Sequence, residues 1–322
     1  MANYLLGIDL GGTNIKIGCF DTELNLAGKI SVPTGEEMSP ESIVDNFYDA
    51  ANELLSRNSL SLDDVCAIGI GSPGSVNLRD GIVEAAPNFP LFKDTPLRDM
   101  VSEKLGKPTI LENDANAACW GEYVVGAGKE VEHMVMFTLG TGIGGGIISD
   151  GRLIHGPTGG AGELGHLIIY PDGRACPCGQ KGCVEAYASA NSTAARAEEA
   201  LKENKQSSLK AVLDEAGELT SKDVFDHAKQ GDGLANEIVD GTAKALALVC
   251  TQMANATDPE TIVFAGGMIA AGEFLLDRIN HFYQIYIGHL FGKGKIKLCF
   301  ATLGEDAGII GTSSLGLTTI EK

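Results

Sequence analysis

The chain has 322 residues, enough for two domains of ordinary size, and its 44% hydrophobic and 21% charged residues are typical of a folded globular protein. It carries 43 Asp and Glu against 24 Lys and Arg, a net charge of −19, which argues against nucleic-acid partners and anionic membranes. The first six residues are too short for a signal peptide and no apolar run approaches the ~18 residues of a membrane span, so we expect a cytoplasmic protein.

The N-terminus predicts a Gly-rich β-hairpin, with strands at 4–10 and 15–20. Glycines let a backbone approach a polyanion, and successive N–H groups form an anion-binding nest. Thr13 and Lys16 can add donors, and Asp9 can hold a hydrated Mg²⁺. The alternative is a plain Gly-rich turn. The candidate phosphate-binding residues here are Asp9, Gly11, Gly12, Thr13 and Lys16.

The chain then alternates helix and strand. Apolar residues at helical spacing predict helices over 40–56 and 97–105, and a buried strand is expected at 65–70. Residues 81–90 contain two prolines, so we expect a loop there. Asn88 in that loop is suited either to hydrogen-bond a sugar hydroxyl or to make a turn.

An acidic segment ends the next strand and opens a helix. Glu112-Asn113-Asp114 follows a strand at 109–111 and precedes an Ala-rich helix at 115–123. In an α/β fold, side chains at the carboxyl end of a strand point toward the ligand crevice. Asp114 is therefore either the N-cap of that helix or a catalytic carboxylate, and Glu112 is expected to be a structural neighbour.

The opening pattern recurs further along the chain. Residues 133–151 again give strand, Gly-rich turn and strand, and Leu139-Gly140-Thr141-Gly142 aligns with Leu10-Gly11-Gly12-Thr13. Two such hairpins, each opening an α/β half, predict a duplicated domain with a phosphate site in the cleft between the halves.

The last third of the chain is mainly helical. The longest helical signal covers 233–256, and the polar stretch 222–230 predicts a helix with a solvated face. A buried strand at 261–264 ends in a third Gly-rich turn, Gly266-Gly267, against which a nucleotide base or ribose can lie flat. The alternation of strand and helix predicts a mostly parallel or mixed sheet in each half.

The segment 162–185 concentrates metal-binding side chains between turn-forming residues. Three thiolates and one imidazole are a complete tetrahedral zinc shell, and a closed shell of this kind is structural. Its zinc would hold the flanking Glu163 and Glu185 in fixed positions. The predicted ligands are His166, Cys176, Cys178 and Cys183.

These motifs together resemble the ROK family of repressors, uncharacterised reading frames and sugar kinases, within the sugar kinase, actin and Hsp70 superfamily. The resemblance covers essentially the whole chain. Its most specific parts are Glu163-x-x-His166 and Cys176-x-Cys178-x4-Cys183-x-Glu185, joined to the N-terminal hairpin and to Asn113-Asp114.

The resemblance implies an α/β fold of two actin-like (ribonuclease H-like) domains around a cleft, usually in a homodimer. We expect an N-terminal domain over 1–118, with a C-terminal helix at 305–322 packing back on it. A larger domain over 119–304 would carry the zinc knuckle. The repressor branch has a helix-turn-helix before the first hairpin; since the hairpin here starts at Tyr4, we expect no DNA binding.

The resemblance also implies ATP- and Mg²⁺-dependent phosphorylation of the 6-hydroxyl of an aldohexose, glucose above others, with Asp114 as general base. N-acylmannosamine kinases and fructokinases of the family share the same sugar-binding carboxylates, and a non-catalytic sugar-responsive regulator is a further alternative. The implied sugar-binding residues are Asn88, Asn113, Glu163, His166 and Glu185. The implied nucleotide and phosphate contacts are Asp9, Gly11, Gly12, Thr13, Lys16, Thr141, Gly142, Gly266 and Gly267.

Overall fold

A computed structural model describes residues 3–288 and 295–320. The chain divides into two compact units. Unit 1 comprises residues 1–129, 153–162 and 302–322, and unit 2 comprises residues 130–152 and 163–301. Each unit has its own mixed β-sheet and its own apolar core. Among the described residues, no helix is long and apolar enough to cross a membrane.

Unit 1 is built on a sheet with strand order β3-β2-β1-β4-β8. Strands β1 and β2 are antiparallel, whereas β1, β4 and β8 run parallel. The elements are β1 Tyr4–Leu10, β2 Asn14–Asp21, β3 Leu26–Pro33, α1 Pro40–Arg57, β4 Val65–Ser72, β5 Ser75–Asn77, β6 Ile82–Ala86, β7 Phe89–Thr95, α2 Leu97–Leu105, β8 Thr109–Asn113, α3 Asp114–Val124 and α10 Ala307–Leu317.

A row of glycines lets the C-terminal helix lie directly on this sheet. Gly7 stands in register with Gly18 on β2 and with Gly69 on β4. A Cβ on Gly7 or Gly69 would lie under 3.0 Å from a backbone carbonyl of α10, which real Cβ atoms essentially never show. Since α10 packs so closely on β1 and β4, it belongs to the fold of unit 1.

The expected loop over 81–90 is wrong. Residues 82–86 and 89–95 form β6 and β7, which pair antiparallel in a small sheet of order β5-β6-β7. Pro90 is tolerated because β7 is an edge strand and the residue is exposed. Pro87 and Asn88 make the hairpin turn.

Unit 2 repeats the topology of unit 1. Its sheet has the order β11-β10-β9-β12-β13, with β9 and β10 antiparallel and β9, β12 and β13 parallel. This match confirms the internal repeat predicted from the two Gly-rich hairpins. The elements are β9 Met134–Leu139, β10 Ile143–Ser149, β11 Arg152–Leu153, α4 Glu185–Ala188, α5 Ala190–Lys202, α6 Leu209–Ala216, α7 Ser221–Lys229, α8 Gly233–Thr257, β12 Thr261–Ala265, α9 Glu273–Ile287 and β13 Lys297–Phe300.

Candidate active site

The histidine and three cysteines predicted as metal ligands come together in unit 2. The ligand atoms of His166, Cys176, Cys178 and Cys183 all lie within 4.8 Å of one another. Cys178 Sγ is 3.7 Å from Cys183 Sγ, and Cys176 Sγ is 3.7 Å from His166 Nδ1. Zinc bound about 2.3 Å from each sulfur gives tetrahedron edges of about 3.8 Å, so these spacings fit a zinc shell.

The backbone around these ligands forms a compact knuckle. His166 closes a single 3-10 turn, Leu164–His166, and the other ligands lie in turns linked by the isolated β-bridges Ile168–Cys183 and Ala175–Lys181. Burial raises the pKa of the Cys176 thiol to about 12 and also raises the pKa of Cys183, whereas the backbone N–H of Gln180 lowers the pKa of Cys178. A bound cation would favour the thiolate form of all three, and this N/S donor set suits zinc.

Glu185 joins the knuckle to the second Gly-rich turn. Its Oε2 accepts a hydrogen bond from the backbone N–H of Ile143 at 2.8 Å, and its Oε1 lies 3.8 Å from Cys176 Sγ. A Cβ on Gly142 would lie under 3.0 Å from this carboxylate. A larger residue at 142 would therefore displace the Glu185 carboxylate from this position.

Glu163 lies on the 3-10 turn that carries His166. Its side chain is exposed, and its carbonyl oxygen accepts the His166 backbone N–H at 3.1 Å. Gly165 between them packs so closely on β10 that a Cβ would lie under 3.0 Å from the Ile143 carbonyl. The turn that holds Glu163 is thus seated on the same strand start that Glu185 contacts.

The first Gly-rich hairpin brings together its predicted ligands in unit 1. Asp9 and Lys16 face each other in the β1–β2 register. Burial raises the pKa of the Asp9 carboxyl, and the positive charge of Lys16 opposes that rise. The Lys16 ammonium also forms an ion pair of 2.9 Å with the exposed Glu305. A partly buried carboxylate beside a Gly-rich turn fits a site that neutralises it with a cation such as Mg²⁺.

Asn88 lies against this first turn. It occupies the β6–β7 hairpin turn, and a Cβ on Gly12 would be 3.3 Å from Asn88 Nδ2. The family resemblance implies that Asn88 binds the sugar and that Gly12 contacts a phosphate. The structure places the two residues side by side in unit 1.

At the junction of β8 and α3, Asn113 is the N-cap of the helix. The Asn113 Oδ1 accepts the backbone N–H groups of Ala115 at 2.9 Å and Asn116 at 3.1 Å. Asp114 is the first residue of α3, and its Oδ1 accepts the Ala115 N–H at 2.8 Å. The N-cap alternative for Asp114 is therefore wrong: the neighbouring amide caps the helix, and the carboxylate stands at its positive end.

A cavity adjoins the third Gly-rich turn in unit 2. Gly266 has φ +89° and packs on the Leu139 carbonyl, which places this turn beside the second one. The 3-10 turn that follows and helix α7 border a cavity of about 150 Å³. The lining includes Ser221, Phe225, Lys229, Gly267 and Met268. This volume is below the roughly 300 Å³ of pockets that bury a whole small-molecule ligand, so the cavity can take only part of a nucleotide.

The α7 residues of this cavity were not predicted, since the stretch 222–230 was expected only to have a solvated face. Phe225 and Lys229 stand one helical turn apart and both line the cavity. An aromatic and a cationic residue at this spacing in the sequence could have indicated that both face one site.

The predicted site residues fall in two groups. Unit 1 holds the first hairpin, Asn88 and Asn113–Asp114, and unit 2 holds the knuckle with the second and third Gly-rich turns.

Comparison with known proteins places these features in a family. The model of the ROK family matches residues 5–319. A glucokinase of Halalkalibacterium halodurans is 40% identical over 309 residues, which are 96% of this chain and 93% of that protein. An N-acetylmannosamine kinase of Escherichia coli is 31% identical over 314 residues, 97% of this chain and 98% of that protein.

A solved structure extends the comparison to the fold. The ROK family glucokinase of Streptomyces griseus, in complex with glucose and AMPPNP, superposes with a TM-score of 0.80 at 33% identity and covers 98% of this chain and 99% of its own. Together with the two repeated sheets, this similarity confirms the predicted fold class of two actin-like α/β domains.

Proposed function

The chain belongs to the ROK family, and on that premise we propose that it is an ATP-dependent glucokinase, which transfers the γ-phosphoryl group to the 6-hydroxyl of glucose. The observation that carries the proposal is the similarity, over nearly the full length of both chains, to a ROK glucokinase solved with glucose and AMPPNP. The 40% identity to a second glucokinase supports the same sugar.

Asp114 is the proposed general base. A sugar hydroxyl is a poor nucleophile at neutral pH, and a carboxylate in hydrogen-bond reach can accept its proton as the new P–O bond forms. Because Asn113 caps helix α3, the Asp114 carboxylate is not needed as the cap. The positive end of the α3 dipole favours its charged form, which is the form a base requires.

Five side chains are proposed to bind the sugar. Glu163 and Glu185 would accept hydrogen bonds from ring hydroxyls, and each would reject an analogue lacking the hydroxyl because a carboxylate would then stay unsatisfied. His166 faces the cysteines through Nδ1, which leaves Nε2 for the sugar. Asn88 and Asn113 complete the set on unit 1.

The Gly-rich turns are proposed to bind the nucleotide. The backbone N–H groups of the turns around Gly12, Thr13, Thr141 and Gly142 would contact phosphate oxygens. Gly267 lines the cavity beside α7 and Gly266 precedes it in the same turn, and this turn would contact the adenine or ribose. Asp9 would hold Mg²⁺, which would supply positive charge to neutralise the transferring phosphoryl group.

A coupled spectrophotometric assay tests the proposal directly. We expect turnover with ATP and glucose, and weaker turnover with mannose, fructose, N-acetylglucosamine and N-acetylmannosamine. ATP and polyphosphate should be compared as donors on the preferred sugar. Product analysis by phosphorus NMR must place the phosphate on the 6-oxygen. No turnover with any sugar at enzyme concentrations that give signal for a known glucokinase would contradict the proposal.

N-acetylmannosamine kinase is the second candidate, because such an enzyme matches the whole chain at 31% identity. It shares the proposed chemistry and differs in the group at carbon 2 of the sugar. A kcat/KM for N-acetylmannosamine above that for glucose would select this activity.

We also propose a homodimer. In unit 2, apolar side chains stay exposed near the knuckle and on α9: Ile168 at 46%, Tyr170 at 38% and Ile285 at 58%. Tyr286 of α9 lies close enough to Tyr170 to add to the rise in its phenol pKa that burial causes. Apolar groups gathered in this way are typical of contact surfaces. Light scattering on the purified protein measures the mass.

A further inference from the structure

A buried ion pair lies next to the proposed base, among residues that the assigned site does not include. Glu112 in β8 is 3% exposed. Its Oε2 lies 2.8 Å from His155 Nε2, and the histidine side chain is 33% exposed. Both residues belong to unit 1. A carboxylate this deeply buried needs partners for both oxygens.

Glu112 holds the corner at which Asn113 and Asp114 stand. Its Oε1 accepts the backbone N–H of Asn113 at 2.9 Å and the side-chain N–H of Asn116 at 3.2 Å. Asn116 Oδ1 is buried with no hydrogen-bond partner among the described residues, so the Glu112 contact is what orients that amide. The carboxylate thus fixes backbone and side chain on both flanks of Asp114.

His155 links this corner to the segment that leads to Glu163. The residue lies in the stretch 153–162, whose fold is set locally by the hydrogen bond from Ala161 N–H to the His155 carbonyl at 3.1 Å. Gly159 in the same stretch packs closely on β5, since a Cβ on this residue would lie under 3.0 Å from the Val76 carbonyl oxygen. Through its imidazole, the stretch is tied to β8.

We propose that Glu112 and His155 form a positioning pair for the Asn113–Asp114 corner, and that phosphoryl transfer is fastest while His155 is protonated. The proposal rests on the proposed function, since it assigns a consequence to the position of the Asp114 carboxylate. It adds a titratable group outside the sugar and nucleotide contacts.

The surroundings of His155 set the sign of the effect. The hydrogen bond with Glu112 raises the pKa of His155, burial lowers it, and the charge of Glu112 raises it further, with a net rise. The other ionisable groups of the packed elements are Cys66 on β4 and Asp114, Cys119, Glu122 and Tyr123 on α3. Burial and the charges of Glu122 and Glu112 raise the pKa of the Cys119 thiol. The stretch 153–162 has no other ionisable side chain.

Because the pKa of His155 is raised, the imidazole is protonated below the ordinary histidine value of about 6.5. The proton, and with it the ion pair, is lost as the pH rises through the raised pKa. Deprotonation leaves the buried Glu112 carboxylate with a neutral partner. The bond between His155 and Glu112 then weakens, and Glu112 holds the backbone N–H of Asn113 less firmly. The carboxylate of the neighbouring Asp114, the proposed base, loses its fixed position. Turnover should therefore fall on the alkaline side.

The test compares kcat for glucose between pH 6 and 9 in His155→Gln, in Glu112→Gln and in the matched control His133→Gln. His133 is equally exposed at 33% and lies 3.6 Å from Asp150, but it is in unit 2. We expect wild type and control to share an alkaline limb. His155→Gln should lack that limb and be about tenfold slower at pH 6.5, the size of one charged hydrogen bond. KM for ATP should change less than about twofold, because the pair contacts no nucleotide group.

Proton NMR of the histidine imidazoles gives a readout independent of turnover. The resonance lost in His155→Gln should titrate above the ordinary value in wild type and move down in Glu112→Gln. An alkaline limb that survives in His155→Gln, or a wild-type His155 that titrates at its ordinary value, would refute the pair's role and leave the glucokinase proposal intact. A lower melting temperature with an unchanged pH profile would mean a purely structural pair and would also refute it. Absence of sugar phosphorylation in wild type would instead refute the proposed function and the pair's role with it.

Discussion

At the residue scale, the division of labour between Asn113 and Asp114 supports the proposed chemistry. From the sequence, the same two positions allowed a capping aspartate or a catalytic one. The structure gives the cap to Asn113, which accepts two helix N–H groups. Asp114 keeps a carboxylate at the end of a strand, where α/β folds place ligand-binding groups.

Asp114→Asn tests the assignment. We expect kcat to fall by about 10²–10⁴-fold, since an amide cannot accept the hydroxyl proton. Glucose affinity should stay within about threefold, because the amide keeps the shape and polarity of the group. The coupled assay gives kcat and calorimetry gives the Kd. The control is Asp99→Asn, an exposed acid in the first turn of α2 with an Arg98 partner. Near-normal turnover in Asp114→Asn would remove the general-base role.

Gly142→Ala tests the contact between the knuckle and the second Gly-rich turn. The added methyl would meet the Glu185 carboxylate under 3.0 Å and force it away from the Ile143 N–H. If Glu185 binds the sugar, glucose affinity should fall about tenfold or more, the loss of one charged hydrogen bond. Calorimetry without nucleotide measures it. Gly140→Ala is the matched control, because no heavy atom lies within 4 Å of its Cβ. Equal affinities in the two variants would exclude Glu185 from the sugar site.

Residue types and spacing were enough to predict that His166 and the three cysteines come together, because one short segment carries all four. The same patterns did not predict the ion pair that Lys16 forms. Its ion pair with Glu305 joins positions 289 residues apart, and nothing local to either residue signals the contact. For the same reason the Glu112–His155 bond was not predicted beyond the expectation that Glu112 is structural.

At the element scale, the knuckle is the support on which several proposed ligands stand. His166, Glu163 and Glu185 all lie within or beside it, and Gly165 and Glu185 both contact Ile143 at the start of β10. Loss of the metal should therefore affect sugar binding as well as stability. A short turn-rich segment has little apolar core of its own to keep its shape.

Cys178→Ser tests the metal and its consequence together. We expect about one zinc per chain in wild type and a small fraction of that in the variant, with a lower melting temperature and weaker glucose binding. Elemental analysis after dialysis gives the metal content. Cys66→Ser is the control, because that thiol lies outside the cluster and a serine hydroxyl can keep its hydrogen bond to the Tyr4 carbonyl. Equal zinc in both variants would contradict the knuckle.

The hairpin β6–β7 shows why one element was missed. Two prolines within 81–90 favoured a loop, since proline interrupts most strands. One proline falls in the turn and the other on an exposed edge strand, where a missing N–H costs no ladder bond. Whether a proline interrupts a strand depends on its place in the folded sheet, which the composition of the segment does not indicate.

At the scale of the whole molecule, the residue patterns indicated the duplication, whereas the packing of the C-terminal helix on unit 1 was expected only from the family resemblance. Two Gly-rich hairpins in one chain indicated two related halves, and both sheets have the same strand order. The glycine row on β1, β2 and β4 has meaning only once α10 lies across it. Isolated glycines in strands gave no sign of which distant helix approaches them.

Removal of residues 302–322 should therefore prevent unit 1 from folding. The deletion uncovers the glycine row and takes away the buried Ile309 and Leu315. It also strips the buried Glu122 carboxylate of the N–H groups of Thr302 and Leu303, at 2.9 and 2.7 Å. The carboxylate keeps the Ala127 N–H at 2.8 Å. A buried charge that loses most of its hydrogen bonds is nevertheless destabilising, by up to the about 3–5 kcal/mol of a broken buried pair. We expect a chain ending at Ala301 to be insoluble or to lack cooperative unfolding in denaturant.

A chain ending at Thr318 is the control for that truncation. It keeps all of α10, and the described residues it removes, Thr319 and Ile320, are not buried. It should fold with a free energy of unfolding near that of the full chain, because no core residue and no Glu122 donor is lost. Cooperative unfolding of the shorter chain, ending at Ala301, would show that unit 1 closes without α10. The order of folding that follows from the prediction is strict: the N-terminal hairpin, although made first, completes its unit only when the last helix has been synthesised.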